Sequence, residues 1–188
     1  MKSTSRKSRL QAGVTLVELL VVIVITGVLA SVAIPSYRSM VVSNRVSGMV
    51  SDLHSALLLA RSEALKRGTT ISVCKTSNAS ATAPLCDPTA GSLGWATGWI
   101  VFVDADASKT RANDEAVLQV FGPYLSNVAD GKIMTDAAGQ GISFNMTGQT
   151  FTKTQFVVSA PGGFSAQDRA VCVAVGGRAK VVEASTCP

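Results

Sequence analysis

Residues 13–35 read GVTLVELLVVIVITGVLASVAIP. From Val14 to Ile34 there are 21 residues, almost all apolar, and one ionisable group among them, Glu18. A helix of that length rises about 32 Å, close to the hydrocarbon thickness of a bilayer. Nothing basic stands beside Glu18 in the sequence. An unpaired acid at mid-bilayer costs about 3 kcal/mol, and less near the interface. A carboxylate in such a place therefore asks for a cationic partner.

Upstream lie Lys2, Arg6, Lys7 and Arg9 with no acid among them. A basic tip before an apolar run keeps that end in the cytoplasm and sends the rest of the chain outward. A secretory signal peptide has the same opening, with cleavage after small residues near Ala30 or Ala33. Two features argue against it. The run is long enough to span, and helical patterning resumes beyond Pro35. Apolar positions recur at Val46, Met49, Val50, Leu53, Leu57, Ala60 and Ala64, in steps of three and four that mark one helix face. Ser43, Asn44, Ser51, Ser55 and Ser62 lie off that stripe. One helix from Val14 to about Arg67 is expected, kinked at Pro35 and stopped by Gly68. Its first half, 14–34, is apolar all round and seeks lipid or similar helices. Its second half, 35–67, is amphipathic and needs the following domain.

The formal net charge is +5, yet beyond residue 13 there remain 13 basic and 12 acidic residues. The basic character belongs to the tip, so charge alone gives little support to nucleic-acid binding by the bulk of the chain. The four cysteines, Cys74, Cys86, Cys172 and Cys187, form no C-x-x-C pair, and there is a single histidine. That disfavours zinc, and an even count in an exported domain favours disulfides. Three pairings exist. Cys74–Cys86 with Cys172–Cys187 is preferred because each pair brackets one local loop.

From residue 68 the period changes. Ile71 and Val73, WIVFV (99–103), AVLQVF (116–121), ISFNM (142–146), QFVVS (155–159), AVCVAV (170–175) and AKVVEA (179–184) are short β-rich runs separated by Gly, Asn, Asp and Pro. The expected fold class is α+β, a long N-terminal helix whose second half packs on an antiparallel β-sheet head over 68–188. Trp95 and Trp99 are read as packing residues. Gly176 and Gly177 mark a hairpin turn into a last strand.

Gly13 followed by Val14-Thr15-Leu16-Val17-Glu18-Leu19-Leu20 resembles the leader-processing signal of type IV pilins and type II secretion pseudopilins. Val14 departs from the commoner Phe or Met. The patches ARSEALKRG (60–68), ISVC (71–74), GWIVFVDAD (98–106) and GRAKVV (177–182) are similar, in that order, to the FimT/FimU minor pilins and their secretion relative, GspH. The resemblance implies a leader, 1–13, removed after Gly13 by a prepilin peptidase, and methylation of the new amine on Val14. It implies a charge pair between Glu18 and a terminal amine, in the same or a neighbouring subunit. Other minor and major pilins, or pseudopilins, are the implied partners. Inner-membrane lipid surrounds the helix, with the N-terminus cytoplasmic and the head periplasmic, before entry into a pilus or pseudopilus. Loss of pili and transformation, or loss of enzyme secretion, separates the two systems.

The remaining candidates concern ligands. DADASKTRANDE (104–115) places acids at the first, third and twelfth positions of a calcium-loop pattern, but Lys109 stands where such a loop needs glycine, and a strand precedes it. A solvated hairpin loop is the better reading. His54 lies on the helix without nucleophile or acid nearby in sequence, and no phosphate-binding glycine loop is present, so neither an enzyme nor a cofactor is expected. Arg178 and Lys180 are two apart in a predicted strand or turn and can share a face. In some FimT-like pilins, basic residues after a C-terminal glycine are implicated in DNA uptake. By that resemblance Arg178 and Lys180 are candidate DNA contacts, with Lys180 lacking the bidentate fork of an arginine and Arg169 as a further candidate beside them; the alternative reading is two solvated charges on a surface hairpin.

Overall fold

The computed structural model describes residues 13–89, 91–136 and 141–188. Lys2, Arg6, Lys7 and Arg9 lie outside the described residues. The chain divides into two compact units, Met1–Ser39 and Met40–Pro188.

A single helix, α1 (Leu16–Arg67), runs through both, with Pro35 inside it. In the first unit its apolar side chains are exposed on every side, from Leu16 at 78% to Ile34 at 54%. The two hydroxyls in this stretch are satisfied within the helix. Thr26 donates to the Val22 carbonyl at 2.7 Å and Ser31 to the Val28 carbonyl at 2.7 Å. Glu18 apart, such a segment offers lipid only hydrocarbon and closed hydrogen bonds. By length and composition it can cross a membrane.

In the second unit α1 buries Val46, Met49, Val50, Leu53, Ala56, Leu57, Ala60 and Ala64. All seven positions of the expected stripe are among them. The helix closes at Gly68, whose φ of 64° suits glycine and whose N–H donates to the Ala64 carbonyl at 2.9 Å. Lys66 and Arg67 stand in the last turn and reach back to Glu63, and the Arg67 hydrogen bond holds the Glu63 carboxyl below its usual range.

Eight strands follow: β1 (Ile71–Lys75), β2 (Trp99–Val103), β3 (Val117–Phe121), β4 (Lys132–Thr135), β5 (Ile142–Phe144), β6 (Thr154–Ser159), β7 (Arg169–Val173) and β8 (Ala179–Val182). They form two four-stranded antiparallel sheets, ordered β3-β2-β1-β5 and β4-β6-β7-β8. Seven of the eight coincide with runs read from sequence; β4 does not. An isolated bridge ties Gly94, in the connection between β1 and β2, to Ile133 on β4, and a Cβ on Gly94 would stand 2.0 Å from the Ile133 carbonyl oxygen. Trp95 packs edge-on against Phe156 at 4.8 Å, and Trp99 stacks on Tyr124 at 4.8 Å. Both tryptophans are buried with the helix stripe, Ile71, Phe144 and Val171 in one core. Tyr124 donates to Asp52 on α1 at 2.8 Å, and burial with that bond pushes its phenol well above the usual range.

Cys74 joins Cys86, and Cys172 joins Cys187, closing intervals of 12 and 15 residues. Intervals of this length stabilise by roughly 3 kcal/mol each on loop entropy.

Candidate functional site

The N-terminal candidates sit at the start of α1. Thr15 is the N-cap. Its carbonyl accepts the first helical hydrogen bond, from the Leu19 N–H at 3.1 Å, and its hydroxyl accepts from the Glu18 N–H at 3.2 Å. Glu18 is thereby the third helical residue, in the first turn, where the positive end of the helix dipole favours a carboxylate. Gly13 and Val14 precede the cap, outside the helix and exposed. The helix was expected from Val14; the Thr15 cap moves its start to Leu16. Thr15-x-x-Glu18 is a capping-box pattern that was legible in the sequence and was missed.

The second constellation lies at the far end of the chain. β7 and β8 are joined by a turn in which the Ala174 N–H donates to the Arg178 carbonyl at 3.0 Å and the Gly177 N–H to the Ala174 carbonyl at 2.8 Å. Gly177 has φ 73°, and a Cβ there would lie 1.9 Å from the Gly148 carbonyl oxygen, so the turn needs glycine. Lys180 stands opposite Cys172, and Cys172 opposite Gln155, in one row across the sheet. Along that row runs a groove of about 490 Å³ lined by Lys153, Arg178, Lys180, Asp136 and the Cys172–Cys187 disulfide. The disulfide holds the C-terminal segment as one wall, and the Cys187 N–H donates to the Gln155 side chain at 3.2 Å. Lys153, Arg178 and Lys180 form no ion pair among the described residues. Among the described residues Asp136 is the single acidic side chain in the lining, and it already accepts from the Gln155 N–H at 2.9 Å. The groove is cationic, suited to an anion held by separate point contacts.

Arg178 and Lys180 are thus brought together, and Lys153, overlooked in the sequence, joins them. Its place in a loop ahead of β6 carries no local pattern that reveals it. Arg169 does not join them. It alternates with Val171 and Val173, on the sheet face opposite to Cys172 and Lys180. There its guanidinium faces Glu183 at 3.8 Å and donates to the Asp168 carbonyl at 2.9 Å. It lines a separate groove with His54, whose ring lies 3.4 Å from the Ala179 carbonyl oxygen.

The 104–115 loop joins the antiparallel strands β2 and β3 and is largely exposed, as expected, with Asp104 as its buried residue. Asp104 is fully buried and accepts from the Ser72 hydroxyl and from the N–H groups of Ser108 at 2.9 Å and Lys109 at 3.0 Å. Burial outweighs these bonds and pushes its carboxyl upward. Glu115 accepts from the N–H groups of Ala105 at 2.9 Å and Ala112 at 2.8 Å. The oxygens of Asp104, Asp106 and Glu115 lie within 4.8 Å of one another. They serve as acceptors that shape the loop.

Comparison with known proteins covers both halves of the chain. Residues 50–177 match the family described as Type II transport protein GspH, and residues 8–34 match the prokaryotic N-terminal methylation motif. A fimbrial protein of Dichelobacter nodosus is 36% identical over 130 residues, 66% of this chain and 73% of that protein. The type IV major fimbrial protein FimA of the same organism is 35% identical over the same shares. The crystal structure of the Pseudomonas aeruginosa type IV minor pilin FimU aligns over 77% of this chain and 93% of that one, with TM-score 0.56 and 19% identity, which establishes the likeness of fold. The chain belongs to the GspH family of type IV pilin-like proteins and carries their N-terminal methylation motif.

Proposed function

We propose that this chain is a minor pilin of the FimT/FimU kind, an assembly subunit without catalytic activity. It is made as a precursor, cut after Gly13 by a prepilin peptidase and methylated on Val14. Residues 14–34 hold it in the inner membrane, N-terminus cytoplasmic and head periplasmic, until it enters a type IV pilus at or near the tip. There Glu18 pairs with a terminal amine, its own or a neighbour's, and Pro35 introduces the bend expected of the helix. The filament then serves motility, adhesion or DNA uptake. The observation that carries the reading is an apolar helical segment exposed on every side and lying within the methylation motif of residues 8–34. Neighbouring subunits of the same kind offer a surface that covers it.

Intact mass of the mature protein tests the proposal. Loss of residues 1–13 together with the gain of one methyl group is expected. A product cut near Ala30 or Ala33 overturns it. The family match equally supports a type II secretion pseudopilin. Deleting the gene separates the two: loss of pili favours the first reading, loss of enzyme secretion the second.

The cationic groove favours one further role, capture of DNA by Lys153, Arg178 and Lys180. Titration of the processed chain in detergent micelles against duplex DNA, at low and at physiological salt, tests it. Binding at low salt that weakens steeply with salt is expected, and no binding at low salt removes the role.

A further inference from the structure

The bond at which the leader is to be cut, Gly13–Val14, lies just outside α1, and the chain itself fixes that boundary. A peptide within a helix has its carbonyl and N–H engaged along the axis, so hydrolysis there first requires unwinding. Thr15 removes that need. Its hydroxyl and carbonyl take the N–H groups of Glu18 and Leu19, and the helix begins at Leu16. Gly13 adds an independent observation. Among the described residues a Cβ built on it meets nothing within 4 Å. No described neighbour crowds that position, and a residue without a Cβ leaves its backbone open to close approach by another protein.

We propose that Thr15 is a positioning residue for leader removal: by capping the helix it holds the Gly13–Val14 peptide unwound and accessible to the peptidase. This rests on the reading that the chain is processed after Gly13. In the step itself water adds to the Gly13 carbonyl carbon, the C–N bond to Val14 breaks, and the proton passes to the departing Val14 amine. The same cap sets Glu18 in the first helical turn. The charge created at Val14 then arises about one helical turn from the Glu18 carboxylate.

The test uses the full-length precursor in membrane vesicles with prepilin peptidase, following loss of residues 1–13 by intact mass over time. Thr15→Val keeps the shape and removes the cap, whereas Thr15→Ser and Thr15→Asn keep a capping oxygen. Hydrogen exchange at the Glu18 amide reports the cap directly. Cleavage of the valine variant roughly fivefold slower, with faster exchange at Glu18, is expected from the loss of one such cap. Serine and asparagine variants should both stay near the parent rate. A valine variant cut at the parent rate overturns the proposal. So does rescue by serine without asparagine, since the peptidase then reads the hydroxyl rather than the helix start. An uncut parent chain overturns instead the processing reading on which this rests.

Discussion

Lys75 carries its ammonium into the head at 4% exposure, with the Asp87 carboxylate at 3.5 Å and the Thr89 carbonyl as its partners. The hydrogen bonds from Thr89 are the largest reason that the Asp87 carboxyl lies below its ordinary value. Removing that carboxylate leaves a buried charge with one neutral partner. Asp87→Ala should therefore cost about 3 kcal/mol at neutral pH, read as a shift in the denaturant midpoint. The sign of the pH effect follows from the depressed value. The Asp87 contribution is whole above the ordinary value near 3.8 and fades as pH falls through the lower folded value. The gap between parent and variant should narrow only below that point. Asp104 works in the opposite sense: burial raises its carboxyl, so its protonation favours the folded state more as pH falls. Little of this was legible beforehand. Lys75 ends a strand in sequence, and Asp87 becomes its neighbour because the Cys74–Cys86 bond folds the intervening loop back.

At the scale of elements, the amphipathic half of α1 was the most legible part of the chain. Its period of three and four is a property of the sequence, and the sheets only supply the surface it meets. The consequence is a steep contrast along one helix. Leu53 is wholly buried, whereas Leu58 remains 46% exposed. Leu53→Ala should destabilise by about 3 kcal/mol and Leu58→Ala by less than about 0.5 kcal/mol, compared by urea unfolding. Equal losses would mean that the helix packs on another face. The strands were legible where β-branched residues run together, as in β2 and β6. β4 was not, since its four residues, KIMT, bury one side chain, Ile133. That strand exists through pairing with β6 and through the Gly94 bridge, both contacts distant in sequence.

Across the whole molecule, the cationic groove depends on parity and on closure. Residues two apart share a sheet face, so Arg178 and Lys180 were foreseeable as a pair. Arg169 lies beyond a turn and on an odd step from Cys172, and only the register of β7 against β8 assigns it to the other face. Lys153 enters because β6 places its leading loop beside the β7–β8 turn, where the Thr150 N–H donates to the Val175 carbonyl at 2.9 Å. If the groove binds DNA, log affinity should fall against log salt with a slope of roughly −3 for three phosphate contacts. Each of Lys153→Gln, Arg178→Gln and Lys180→Gln should lessen the slope by about one. An Arg169→Gln variant should leave it unchanged. A slope equally sensitive to Arg169 would move the contact surface to the other face.

The two disulfides carry a mechanical meaning. Each closes a loop within the sheets, and neither ties α1 to a strand. When tension enters through the helix, no cross-link shares it. The load passes to the head through the side chains buried from Val46 to Ala64, the Tyr124–Asp52 hydrogen bond, the Arg45–Asp130 ion pair, the His54 contact with the Ala179 carbonyl, and the single stretch of backbone around Gly68. Those apolar contacts are many and individually weak, so they yield together rather than one at a time. Under a pull the helix would peel from the head as one piece, while the stapled loops kept their shape.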